Sequence, residues 1–211
     1  LKINSKNTPS RGYNIVANVN NKSKNKIVVC AHLDTWFDTP GAIDNGTGIA
    51  VLLTLAELLN NVKNLSNNIE LVFFNGEDYY SGIGEVEYLK QADLENTLLA
   101  INIDGLGLKN SKVHTSYYFH KDKPELFKPF EKHVNNNGNY IEGKTWPQSD
   151  HMIFFQNGIP AIALTNELLL EDSFSIGADR ITHTKKDTIN IVDYNILYET
   201  VALLFNFLTS L

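Results

Sequence analysis

Two rhythms of apolar and polar positions alternate along this chain. Four short runs, Lys26–Ala31, Ile69–Phe74, Leu98–Ile103 and Pro160–Leu164, are apolar almost throughout, the pattern of strands buried on both faces of a sheet. Between them the period changes. Ile49, Leu52, Leu53, Ala56 and Leu59 recur at helical spacing and stop at Asn60-Asn61. Further helices are predicted over Ile83–Gln91, from Pro124 to the Asn135-Asn136-Asn137-Gly138 stop, and from a Ser149-Asp150 cap through Gln156. The last is predicted over Asp193–Leu208, where Leu197, Val201, Leu204, Phe205 and Leu208 share a face. Tyr13–Val19 alternates weakly and reads as a hairpin partner of Lys26–Ala31 across Asn20-Asn21-Lys22-Ser23. Val113–Tyr118 reads as a short strand, and Glu167–Thr182 carries no regular pattern. Strands alternating with helices predict a three-layer α/β/α sandwich around a mixed, mostly parallel sheet, one domain over residues 1–211.

Composition narrows the partners. At 211 residues, 43% of them hydrophobic and 20% charged, the chain is of ordinary globular make-up. A net charge of −6 argues against nucleic acid. No apolar run approaches the roughly 18 residues that span a bilayer, so no membrane partner is predicted. The chain opens at Leu1 without Met or an apolar leader, which predicts a processed or trimmed form. The single Cys30 cannot form an internal disulfide and reads as a small core residue. It leaves a soluble protein's compartment open between cytoplasm and exterior.

Candidate chemistry collects where the strands end. Three apolar runs finish in His32-Leu33-Asp34, Glu77-Asp78 and Asp104; a loop supplies Asp44 before a helix, and His183 follows much later. Strand ends and the loops before helices are where open α/β sheets build their sites. So many carboxylates at one sheet edge would cost several kcal/mol each to desolvate unless cations neutralise them. Two imidazoles with several carboxylates form a nitrogen–oxygen set suited to Zn²⁺, with Mn²⁺ or Co²⁺ also compatible. Adjacent residues of an extended chain point to opposite sides, so Glu77 can escape the ligand shell that Asp78 joins.

The motifs AHLD, GAIDNGTG, FNGED, NIDGLG, SDH followed by GIPA, and HTKKDT, in this order, resemble the bacterial aminopeptidases with two co-catalytic zinc ions. Glutaminyl cyclases belong to the same superfamily. The resemblance, from about Tyr13 to the C-terminus, implies two zinc ions per chain, one held by His32 and Asp104, the other by Asp78 and His183, with Asp44 bridging. It implies Glu77 as general base, Asp34 as the carboxylate orienting His32, and a cis peptide at Asp44–Asn45. The implied substrates are peptides with a free N-terminus, whose first side chain enters an apolar pocket. Two departures accompany it: Glu77-Asp78 stands where the family has Glu-Glu, and the helix that usually precedes the family's first strand is missing. The oligomeric state is left open.

Other readings remain at this stage. A glutaminyl cyclase uses one zinc, whereas the positions of both metal sites are kept here. Related carboxypeptidases and acylases insert a lid domain, for which Asp104–His183 is too short. An inactive binding module of this fold would bind no metal. Asp187 either orients His183 or caps the next turn. His151 reads as structural, and His114, His120 and His133 as solvated.

Overall fold

The computed structural model describes residues 3–6, 9–19, 22–79, 82–119, 121–173 and 180–211. Seven strands form one sheet: β1 (Ile15–Val19), β2 (Lys26–His32), β3 (Asn68–Phe74), β4 (Thr97–Ile103), β5 (Val113–Tyr118), β6 (Tyr140–Glu142) and β7 (Ala161–Asn166). Their order is β1-β3-β2-β4-β7-β5-β6. The central four, β3, β2, β4 and β7, run parallel, while β1 and β5 run antiparallel to their inner neighbours, so the sheet is mixed as the sequence predicts.

The route to that mixture differs from the predicted hairpin. β1 pairs with β3, from Ile15 opposite Phe73 to Val19 opposite Ile69, and not with β2. Both edges of β2 are taken by parallel partners, which leaves β1 the outer edge of β3. The three-residue β6 gave no sequence signal.

The helices are α1 (Thr47–Asn60), α2 (Ile83–Leu89), α3 (Pro124–Asn135), α4 (His151–Gln156), α5 (Glu167–Ser173) and α6 (Tyr194–Ser210). They cover both faces of the sheet. Side chains that alternate along each strand separate two cores. Ile27, Val29 and Ala31 of β2, with Ile69, Leu71, Leu99 and Ile101, pack under α1, α3 and α6. Val28 and Cys30, with Val72, Phe74 and Ala100, pack with Tyr88 of α2 and Phe154 of α4. Cys30 is buried there, as expected.

Three expectations are corrected. Glu167–Ser173 is helical where no pattern was read, and residues 174–179 lie outside the described residues. Asp150 stands at the N-cap position of α4, but its side chain makes no capping hydrogen bond. Ala42–Asn60 is, by length and composition, apolar enough to cross a bilayer. Half of that window is buried, and Val51, Leu52, Leu55 and Leu59 of α1 belong to the core, so the apolarity is used against the sheet.

Candidate metal centre

The parallel strands deliver their C-terminal ends to one edge. His32 is the last residue of β2 and pairs in register with Phe74, the last residue of β3, after which the chain enters Asn75-Gly76-Glu77-Asp78. Cys30 pairs with Asn102 on β4, so two residues further on His32 and Asp104 leave their strands side by side. The fourth contribution is the turn Ala42–Gly46 that enters α1. Gly41 has φ 65°, and a side chain there would run into Thr35 and the Asp44 carbonyl. The Asp44–Asn45 peptide is cis, as the resemblance implies.

These segments and the loop carrying His183 bring five side chains together. His32 Nε2 lies 3.1 Å from Asp44 Oδ1 and 3.3 Å from Asp104 Oδ1. His183 Nε2 lies 3.2 Å from Asp44 Oδ2 and 2.8 Å from Asp78 Oδ1. Asp44 therefore turns one carboxylate oxygen to each imidazole. Two groups able to hold a metal ion result, His32/Asp44/Asp104 and Asp44/Asp78/His183, each with its donor atoms within 4.8 Å of one another. Glu77 joins His32 and Asp78 in a third such group, so its carboxylate also faces the cage.

The electrostatics are those of a cage built around positive charge. Burial would lower the His32 pKa, but the carboxylates of Asp104 and Asp44 outweigh it and hold the imidazole well above its ordinary value. Hydrogen bonds to Asp44 and Asp78 lift His183 to about 10. Burial works to raise Asp44, yet hydrogen bonds from His183 and His32 hold it far below the usual carboxylate range. Burial, reinforced by the carboxylates of Asp104, Asp78 and Asp44 against the pull of His32, pushes Glu77 up to about 8. Asp78 Oδ2 is buried and meets no hydrogen-bond donor among the described residues. A carboxylate oxygen left bare inside a nitrogen–oxygen cluster fits a cation and is costly without one. The shorter Asp78 still reaches His183.

Supporting residues fix the cage. Asp34 works by a route other than the predicted one. Its main-chain carbonyl lies 3.0 Å from His32 Nδ1, while its carboxylate is 3.9 Å away and instead accepts the N–H groups of Gly76, Glu77 and Tyr79 at 2.8, 3.1 and 2.9 Å. One residue thus orients the imidazole and holds the loop that carries Glu77. Among the described residues no hydrogen bond joins Asp187 to His183, and the turn its carboxylate holds is a distant one, not the next. Asp187 is fully buried, and its carboxylate accepts the N–H groups of Ile43 and Asp44 at 2.6 and 3.0 Å, clamping the turn that presents Asp44. Asn45 donates to the Ile103 carbonyl at 2.8 Å, tying the same turn to β4. Trp36 stacks on His183 with ring centroids 5.1 Å apart. Sequence reasoning had no signal for the Asp187 clamp, because its partners are main-chain groups far away along the chain.

The remaining histidines divide. His151 is buried against Tyr118 and Trp146, outside the cage, with a pKa lowered to about 4 by burial, the structural role expected of it. His114 is buried beside Ser116 and not solvated as expected; His133 is exposed, and His120 lies outside the described residues.

A cavity of about 490 Å³ opens from the cage. Its wall beyond the cage mixes the polar Glu85, Gln148, Ser149 and Arg180 with Trp36, Trp146, Leu169 and Leu170.

The sequence model of peptidase family M28 matches residues 14–208. A probable leucine aminopeptidase of Trichophyton verrucosum is 25% identical over 94% of this chain and 56% of its own length. The probable lipoprotein aminopeptidase LpqL of Mycobacterium tuberculosis is 30% identical over 54% of this chain and 24% of its own. The chain thus spans about a quarter to about half of the length of these relatives. Among solved structures, the glutaminyl cyclase of Porphyromonas gingivalis superposes with a TM-score of 0.79 at 26% identity, covering 93% of this chain and 76% of that one. BSAP, a zinc aminopeptidase from Bacillus subtilis, superposes with a TM-score of 0.77 at 21% identity over 93% of this chain and 49% of its own, a likeness of fold.

Proposed function

The chain belongs to peptidase family M28, and on that footing we propose that it is a zinc-dependent aminopeptidase that hydrolyses the N-terminal residue from peptides. The observation that carries this reading is the shared carboxylate of Asp44, whose two oxygens face the imidazoles of His32 and His183 at 3.1 and 3.2 Å. His32 and Asp104 would hold one ion, Asp78 and His183 the other, and Asp44 both. Bound there, the pair supplies an acidified water and a polarised scissile carbonyl.

The chain's own groups do the rest. Glu77 faces the cage from the residue next to Asp78 and serves as general base: a carboxylate oxygen takes the proton of the attacking water and passes it to the leaving amine. Asp34 keeps Glu77 in place through the N–H groups of Gly76, Glu77 and Tyr79. Asp187 keeps Asp44 in place from the other side.

A second reading, cyclisation of an N-terminal glutaminyl residue, is favoured by the likeness to the Porphyromonas gingivalis enzyme. One experiment separates the two. Chelator-treated protein is titrated with zinc at pH 7 while leucyl-4-nitroanilide hydrolysis and glutaminyl-peptide cyclisation are followed, with bound metal counted by mass spectrometry. Hydrolysis that rises to full rate at two ions per chain supports the aminopeptidase. Full activity at one ion, on the glutaminyl peptide alone, supports the cyclase and sinks the first reading.

A further inference from the structure

Next to the cage two more carboxyl groups are buried, and neither belongs to any of the metal-binding groups. Glu85, in the first turn of α2, is 4% exposed, and Asp150, at the start of α4, is fully enclosed. Among the described residues no donor reaches Glu85 Oε2 or either oxygen of Asp150. Burial raises both carboxyl groups above their ordinary values, and the charge of Glu85 raises Asp150 further.

Glu85 faces the cavity that the cage opens into. Gly82 stands beside it, where a Cβ would lie in ordinary contact, 3.4 Å from Glu85 Oε1 and 3.7 Å from Oε2. Arg180, which lines the same cavity, has its Nη2 3.0 Å from His183 Nδ1, and its Nε meets no acceptor among the described residues. The deep wall therefore offers a carboxyl group with a bare acceptor, sheltered from water.

We infer that this cavity receives the side chain of the substrate's N-terminal residue and that Glu85, backed by Asp150, selects a basic one, lysyl or arginyl; the inference rests on the aminopeptidase reading. An ammonium or guanidinium supplies the donor that Oε2 lacks, and its positive charge favours the ionised carboxylate. An apolar side chain would seal the carboxylate away from water with nothing to bind, and a site of this kind rejects a substrate that leaves its buried polar group unpaired.

The test uses the zinc-loaded chain. Lysyl- and arginyl-4-nitroanilides should be hydrolysed with kcat/KM at least tenfold above the leucyl and glutaminyl substrates. L-Lysine should inhibit at least tenfold more tightly than L-norleucine, which matches its length without the charge. Glu85→Gln should lower the lysyl-to-leucyl ratio at least tenfold, chiefly through KM, and Asp150→Asn should lower it in the same direction. Such a ratio does not depend on the folded fraction of the variant. Equal or better turnover of the leucyl substrate overturns the pocket assignment and leaves the aminopeptidase reading intact. No turnover of any substrate, with L-lysine and L-norleucine giving equal thermal shifts, overturns both. A larger shift with L-lysine in the absence of turnover upholds the pocket and overturns the reaction.

Discussion

The two ends of strands β2 and β3 both bury charge, and they do it in opposite ways. At the N-terminal end Lys26 Nζ lies 2.9 Å from Glu70 Oε1, and the Tyr88 hydroxyl donates to the same oxygen at 2.5 Å. That cluster is neutral and supplied with its own donors. At the C-terminal end, four residues from the same cage, Asp44, Asp78, Asp104 and Glu77, face two imidazoles, and Asp78 Oδ2 has no donor among the described residues. The first arrangement is complete as folded and reads as structure. The second carries more carboxylates than the chain neutralises, which is the mark of a site finished by something from outside.

Three experiments sharpen or break that contrast. The largest effect is expected at the open end: Glu77→Gln should lower hydrolysis about 10²–10⁴-fold while metal content stays near that of the parent protein. Loss of metal with activity would make Glu77 a ligand and dissolve the division of labour with Asp78. At the closed end, Lys26→Met leaves Glu70 buried and uncompensated, and denaturant unfolding should register a loss of about 3–5 kcal/mol with kcat unchanged. Pairing it with Glu70→Leu should recover most of that loss. A drop in kcat from Lys26→Met alone would mean the two ends are coupled.

The smallest effect concerns pH. Without metal, His183 titrates near 10 and Glu77 near 8, both raised in the folded state. A raised folded value means that the folded protein binds more protons than the unfolded one, so this contribution is present below the ordinary values and is lost as pH climbs through the raised ones. Protons and metal ions compete for the same imidazoles. The gain in melting temperature on adding zinc should therefore widen from pH 6.5 to 8, read by thermal-shift measurements on chelated and zinc-loaded protein. A gain that is constant or shrinks would show that protons do not hold the cage closed.

Much of the architecture was legible from local pattern alone. The apolar runs at 27–31, 69–74 and 98–103 became β2, β3 and β4, and the periodic segments became α1, α3 and α6, because period and turn residues act within a few positions. Four side chains of the cage, His32, Asp44, Asp78 and Asp104, stand at strand ends or a loop mouth that the pattern already marked, whereas His183 follows an irregular stretch and was reached through the motif resemblance. Asp34 was the instructive partial case. The sequence pointed to its neighbourhood, but whether its carbonyl or its carboxylate would meet His32 depended on where the 75–79 loop came to lie.

What the sequence by itself determined was most of the elements, though not β6 or α5, and the chemistry placed at the strand ends, both properties of contiguous residues. The tertiary structure alone decided that β1 would pair with β3, that Asp187 would clamp the Asp44 turn, and that Glu85 would line the cavity with no donor on Oε2. Each of those depends on which edge, main-chain group or buried charge is still unpartnered once the rest has packed. Such competition is settled between distant segments by burial and hydrogen-bond satisfaction, and no local period records it.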